Sequence, residues 1–265
     1  DRYISQYYYR FGKLLIVDPD TADYVFNFQS KYDVRIVPPK QEGDHVERGL
    51  ELLKELFLNG YRDRVKQELF PYALILADTI ENTFTDQYVN MYTADRYIAF
   101  LVNDQMLNRT EKDKEKLSRE WNNTFLNYSM DKAGWVVPEK FYLYSETEYA
   151  KKENWWIPVK GATEKDTADI NIVWERGYPT GNWTYYFDDT YTNKIWGYAV
   201  SSSREGYLEK FFEFLFTAPQ ETINKAIVDH EKLRNAHDVL DQALKDDFGI
   251  DYRTMTVSYT HLRAH

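Results

Sequence analysis

Residues 112–130, KDKEKLSREWNNTFLNYSM, decide how the rest of this chain is read. Leu117, Trp121, Phe125 and Tyr128 return at the spacing of one helical face, and the Lys- and Glu-rich lead-in favours helix. On a neighbouring face Asn123 and Asn127 stand four residues apart, with Thr124 between them. Taken locally, the pattern is that of an amphipathic core helix carrying two surface amides.

The same i, i+4 placement is the one by which an HExxH helix holds zinc: two imidazoles bind the metal and the Glu activates water. Here neither His nor Glu stands at those positions.

Composition bounds what surrounds this helix. The chain has 265 residues, 43% of them hydrophobic, enough to bury a sizeable core, and the reading is one domain over residues 1–255. A net charge of −10 with scattered basic residues excludes a nucleic-acid surface, which needs a clustered positive field. Without Cys there are no disulfides, thiolate metal sites or Cys nucleophiles. Apolar runs such as residues 73–77 fall far short of the ~20 residues of a membrane helix. The chain opens at Asp1 without Met, so an export signal would not be visible in it.

In chain order, residues 13–17 read as a strand, and Pro19 opens a helix presenting Ala22, Val25 and Phe26. Residues 32–37 alternate as a strand and stop at Pro38-Pro39. From Asp44, Val46, Leu50, Leu53 and Phe57 mark a helix closed by Asn59-Gly60, followed by a shorter helix to Phe70. Strands follow at 72–77 and 97–102. Residues 131–200 are loop-rich and aromatic, with β-prone runs at 170–174, 183–187 and 195–200. Ser201-Ser202-Ser203 then caps a helix whose inward face is Tyr207, Leu208, Phe211, Phe212, Leu215 and Phe216. Pro219 starts a last helix running to about Phe248, before Gly249. Residues 256–265 break the pattern with a sudden basic, His-containing composition and are set aside as a non-native tail.

Four segments, KYDVRIVPPK (31–40), ADRYIAFLVND (94–104), the 112–130 helix and GYAVSSSREGYLEKFFEFLF (197–216), stand in an order that resembles one family. It is the zinc-binding metallopeptidase family of Bacteroidetes surface lipoproteins, similar to substrate import-associated zinc metallohydrolase lipoproteins. The resemblance covers most of residues 14–252. It implies an α+β, zincin-like metallopeptidase fold: a mixed sheet with edge strand 97–102, a central motif helix and C-terminal helices. It further implies an extracytoplasmic setting, lipid-anchored at the outer membrane, and TonB-dependent importer components as partners.

In the family's HEFxH register, Asn123 and Asn127 fall on the metal ligands, Thr124 on the catalytic Glu, and Phe125 on the family's Phe. An alternative register over 121–125 loses the same groups. The family's downstream acidic pair is halved, with Glu205 retained and Gly206 in the Asp position. Carboxamides are poor zinc ligands beside imidazole, and Thr cannot take and return a proton near neutral pH. No zinc or other cofactor is therefore expected, although zinc is what the family uses. The five His lie at 45, 230, 237, 261 and 265; His230 and His237 read as a solvated face of the last helix, and His45 as a helix-start residue.

Two functions follow. The first is an inactive metallopeptidase-like body acting as an accessory or binding module in glycan or peptide uptake. The alternative is an active zinc-dependent peptidase with an unconventional site. Positive support for binding is the aromatic density between Trp155 and Trp196, from which Trp155, Trp156, Trp183, Tyr185 and Trp196 are the expected ligand contacts, with Trp174, Tyr186 and Tyr191 nearby. Strand alternation sends neighbours such as Tyr185 and Tyr186 to opposite faces.

Overall fold

Two apolar runs set the layering. Ala73–Ala77 is buried throughout and Tyr97–Leu101 at all but its last residue, as strands covered on both faces are. In the computed structural model, which describes residues 2–25, 33–145, 156–158, 170–180, 182–187, 194–201 and 203–254, they are the two inner strands of a four-stranded sheet. Two compact units are present. The first draws on Asp1–Val136, Asp247–Ile250 and Thr254–His265, the second on Val137–Asp246 and Asp251–Arg253.

In the first unit α1 (Arg2–Phe11) is followed by β1 (Leu14–Ile16), the one-turn α2 (Thr21–Tyr24), β2 (Val34–Val37), α3 (His45–Leu56) and α4 (Asp63–Glu68). Then come β3 (Ala73–Ala77), β4 (Thr79–Asn82), β5 (Gln87–Tyr88), β6 (Met91–Thr93), β7 (Tyr97–Leu101), α5 (Asp104–Leu107) and α6 (Glu111–Asp131). The main sheet runs β1-β3-β7-β6, with the first three parallel and β6 antiparallel. A second, antiparallel sheet runs β2-β4-β5.

Alternation along the inner strands sorts the core. Ala73, Ile75, Ala77, Tyr97 and Ala99 cluster with Val34, Ile36 and Ile80 of the small sheet. The intervening residues meet helices. Phe100 packs its ring on Trp121 of α6 at 5.0 Å, and Gly49 lets α3 approach so closely that a Cβ there would lie 3.1 Å from Val102. Phe57, Tyr61, Phe70 and Phe125 close this side with edge-to-face and stacked pairs at 4.8–5.5 Å.

The mixed α+β class is as expected, and the strand at 97–102 is found, but it is not the edge. β6 lies outside it, because a tight turn closed by Ala94 N–H to Tyr97 O (2.9 Å) folds Met91–Thr93 back onto β7. That run is short and half-buried and shows no alternation to read. The helix expected from Pro19 is a single turn capped by Asp20, whose carboxylate accepts from Ala22 N–H, and Val25 is already extended; Phe26 lies outside the described residues.

The second unit contains β8 (Trp156–Pro158), α7 (Ile170–Glu175), β9 (Asn182–Phe187), β10 (Lys194–Ala199), α8 (Arg204–Thr217), α9 (Gln220–Asp229) and α10 (Glu231–Ala243). Its strands form one antiparallel sheet, β8-β10-β9. α8 starts at Ser203, whose hydroxyl accepts from Gly206 N–H, and all six inward residues read from the sequence are buried.

Two expectations fail here. Residues 170–174 are helical, not a strand: a five-residue run with four apolar members fits either period, and here Val173 and Trp174 are buried while the Trp174 indole N–H donates to Pro179 O. The last helix is broken at His230, which is extended (φ −127°, ψ 101°). Its ring Nδ1–H donates to Ala226 O, the carbonyl that the backbone N–H of residue 230 would have taken in a continuous helix. A π-type turn, Leu244–Phe248, follows α10, and Gly249 (φ +74°) ends it as expected. The tail 256–265 lies outside the described residues.

Candidate functional site

α6 is well founded. Thr110 caps it, accepting from Asp113 N–H at 3.2 Å while its hydroxyl donates to the Asp113 carboxylate at 2.7 Å. Leu117, Trp121, Phe125 and Tyr128 are buried as the periodicity requires.

On the core side lies a polar group that the sequence reading passed over. Asn122 is fully buried; its Oδ1 accepts from the Tyr61 hydroxyl and its Nδ2 donates to Ser118 O at 2.7 Å. Ser118 in turn donates to Leu56 O at 2.7 Å, satisfying a carbonyl at the end of α3. The signal was available: Ser118 and Asn122 sit four apart on the apolar arc, where a polar residue needs a partner. Asn122 also heads an Asn-x-Thr sequence, but burial closes it to modification in the folded state.

The motif positions are half-buried rather than surface amides. Asn127 Nδ2 donates to Asn123 O at 3.0 Å and lies 3.4 Å from Asn123 Oδ1; Thr124 Oγ1 donates to Glu120 O at 3.0 Å. Each side chain is thus turned back on its own helix. Asn127 Oδ1 and, two turns earlier, Arg119 Nε are buried without a hydrogen-bond partner. Glu205 lies in the other unit, exposed in the first turn of α8. Two amides and a hydroxyl do not suit zinc, and among the described residues no three His, Asp or Glu come together as ligands.

The histidines differ from the reading of a solvated face. His230 and His237 are both buried. His230 packs edge-on against Trp174, with ring centroids 5.5 Å apart. His237 Nε2 pairs with the Tyr252 hydroxyl at 2.8 Å, and its Nδ1 lies 2.8 Å from the Asp238 carboxylate. Beside it Arg253 binds both Asp241 oxygens, at 2.8 and 3.1 Å, and Lys245 binds the same carboxylate at 2.9 Å. Burial pushes the Asp241 carboxyl up, but these hydrogen bonds outweigh it and hold it below the ordinary range. The network fastens residues 251–253 to α10. His45 is the first residue of α3, as expected, and its Nε2 lies 2.7 Å from the Asp104 carboxylate.

The aromatic segment is only partly described. Trp155 and Tyr191 lie outside the described residues, and Trp174 is core. In the sheet, Trp196 stands opposite Tyr185 and Tyr198 opposite Trp183, so these four positions share a face by pairing and alternation. Ile195 opposite Tyr186 and Ala199 opposite Trp156 belong to the other face. By register, positions 183, 185 and 196 of the expected contact set fall on one face of the sheet and position 156 on the other.

Fold and site together define a mixed α+β protein whose long amphipathic helix lies on a mixed sheet and carries amides along one flank. No family model matches the chain, and no curated protein does. Among solved structures it is similar to a crystal structure described as a candidate zinc-binding metallo-peptidase from Bacteroides caccae ATCC 43185, at 11% identity and a TM-score of 0.48 over 96% of this chain and 86% of that one. Among the described residues no helix is long and apolar enough to cross a membrane.

Proposed function

We propose that this chain is a non-catalytic, metallopeptidase-like binding module, zincin-like in ancestry, that presents glycan or peptide to TonB-dependent importer components. The observation that carries the reading is the register of β9 and β10, which gathers Trp183, Tyr185, Trp196 and Tyr198 on one sheet face. Aromatic residues at neighbouring positions of one sheet face suit sugar faces and extended peptides. The non-catalytic part of the reading rests on chemistry: Asn123, Thr124 and Asn127 supply no imidazole and no base, and Thr124 Oγ1 and Asn127 Nδ2 donate to carbonyls of α6 itself. The extracytoplasmic, lipid-anchored setting is suggested by the family resemblance of the sequence segments and is tested by fractionation of the native host.

The decisive experiment screens oligosaccharides and peptides by calorimetry against the protein and its Trp183→Ala and Trp196→Ala variants. We expect weak binding that both variants lose while far-ultraviolet circular dichroism is unchanged. A screen in which no ligand depends on those residues overturns the binding reading. Elemental analysis on the same sample, after dialysis, is expected to show no stoichiometric zinc. About one zinc per chain, with peptide hydrolysis, would instead establish the unconventional peptidase.

A further inference from the structure

We propose that the flank of α6 formed by Arg119, Asn123 and Asn127 is a binding site for a carboxylate. The three residues are spaced i, i+4, i+8, so they form one stripe with successive members about 6 Å apart along the axis. A guanidinium in an acidic protein normally finds a carboxylate, yet Arg119 Nε is buried without a partner and no ion pair among the described residues engages its head group. Glu115, one turn back and well placed for an i, i+4 pair, forms none with it. Glu120, next in sequence, is already engaged by Asn90 Nδ2 at 3.3 Å and Lys116 at 3.9 Å.

The orphan atoms describe the ligand. Arg119 offers a fork of donors that matches a carboxylate, and one turn on Asn123 Nδ2 is a second donor that no described residue takes. A further turn along, Asn127 Oδ1 is the other buried atom on this stripe without a partner, and it can only accept. Donor, donor, acceptor in that order calls for an elongated molecule with a carboxylate at one end and a hydroxyl or N–H about 6–12 Å away. A uronic acid within an oligosaccharide and an acidic peptide both have this chemistry. The site lies wholly in the first unit and rests on none of the residues of the aromatic sheet.

The test uses the full chain labelled with nitrogen-15, reading the Arg119 Nε–H resonance assigned by its loss in Arg119→Lys. Tri-galacturonate, the tripeptide Glu-Gly-Glu and neutral maltotriose are each titrated to about 10 mM. A saturable shift with tri-galacturonate alone identifies acidic sugar as the source, and one with the peptide alone identifies peptide. Shifts with both establish a general carboxylate site. Arg119→Gln is expected to weaken binding about tenfold or more, and Trp183→Ala to leave it unchanged. No shift with either acid, or an equal shift with maltotriose, overturns the proposal, and this comparison is made on the unmutated protein.

Discussion

The buried pair Tyr61–Asn122 offers the sharpest test of how α6 is held. Asn122→Leu removes the acceptor of a tyrosine hydroxyl that is itself buried (Tyr61 is 4% exposed), and a buried donor left unpaired costs about 1–3 kcal/mol. The other bonds of Asn122 contribute little, since Ser118 O lies within the α6 ladder and Leu56 O keeps the Ser118 hydroxyl at 2.7 Å. Tyr61→Phe leaves Asn122 Oδ1 buried and unpaired, at a similar cost of about 1–2 kcal/mol. With both replaced, neither polar group remains, and the double variant is expected to lose only about 1 kcal/mol. The coupling is then about 2 kcal/mol, well beyond the ~0.3–0.5 kcal/mol scatter of independent sites. Urea unfolding followed by tryptophan fluorescence reads it, since Trp121 adjoins Asn122. Losses that simply add would show that the hydroxyl and the amide do not depend on each other, and would remove Asn122 from the interface between α3 and α6.

Two further predictions concern the second unit. Gly177→Ala is expected to destabilise by more than the ~1–2 kcal/mol of a left-handed residue, because φ is +86° and the new Cβ would meet the Tyr144 carbonyl oxygen at 2.6 Å; a melting temperature within about 1 °C of the parent's would refute this. The Asp241 carboxyl titrates below its unfolded value near 3.9, so its stabilising pairs with Arg253 and Lys245 are complete above that pH and are lost as pH falls through the lower folded value. Hydrogen-exchange protection at residues 251–253, taken relative to the intrinsic rate at each pH, should therefore fall with acid below about pH 4, and Asp241→Asn should abolish that dependence. Equal acid sensitivity in both proteins would assign it elsewhere.

How much of this was legible in the sequence depends on how many physical signals coincide. For α6 they did: the apolar period and a Lys- and Glu-rich lead-in of helix formers point to the same element, and Leu117, Trp121, Phe125 and Tyr128 are all buried. β6 gave only three residues of mixed character, and its place at the edge is decided by a turn and by β7 beside it, which are tertiary facts. Residues 170–174 illustrate the limit of periodicity, for so short a mostly apolar run cannot tell a buried strand from a buried helical turn. His230 shows a different limit. Nothing in residues 220–248 lacks helical propensity enough to break them, and the break comes from a ring nitrogen competing for the Ala226 carbonyl, a choice visible only once the ring has packed on Trp174.

The three asparagines of α6 show why the site was harder to read than the fold. Asn122, Asn123 and Asn127 are the same residue on one helix, within six positions of one another, and composition or a motif register cannot separate their roles. Burial with full satisfaction makes Asn122 structural: its oxygen has Tyr61 and its nitrogen has Ser118. Asn127 spends its nitrogen on Asn123 but leaves its oxygen buried and unpaired, as Arg119 leaves Nε. Folding tolerates few such atoms, and each one calls for a ligand, a water or an ion to complete it. The motif register drew attention to positions 123 and 127, which carry amides and not metal ligands, whereas on that flank the unpaired atoms are those of 119 and 127.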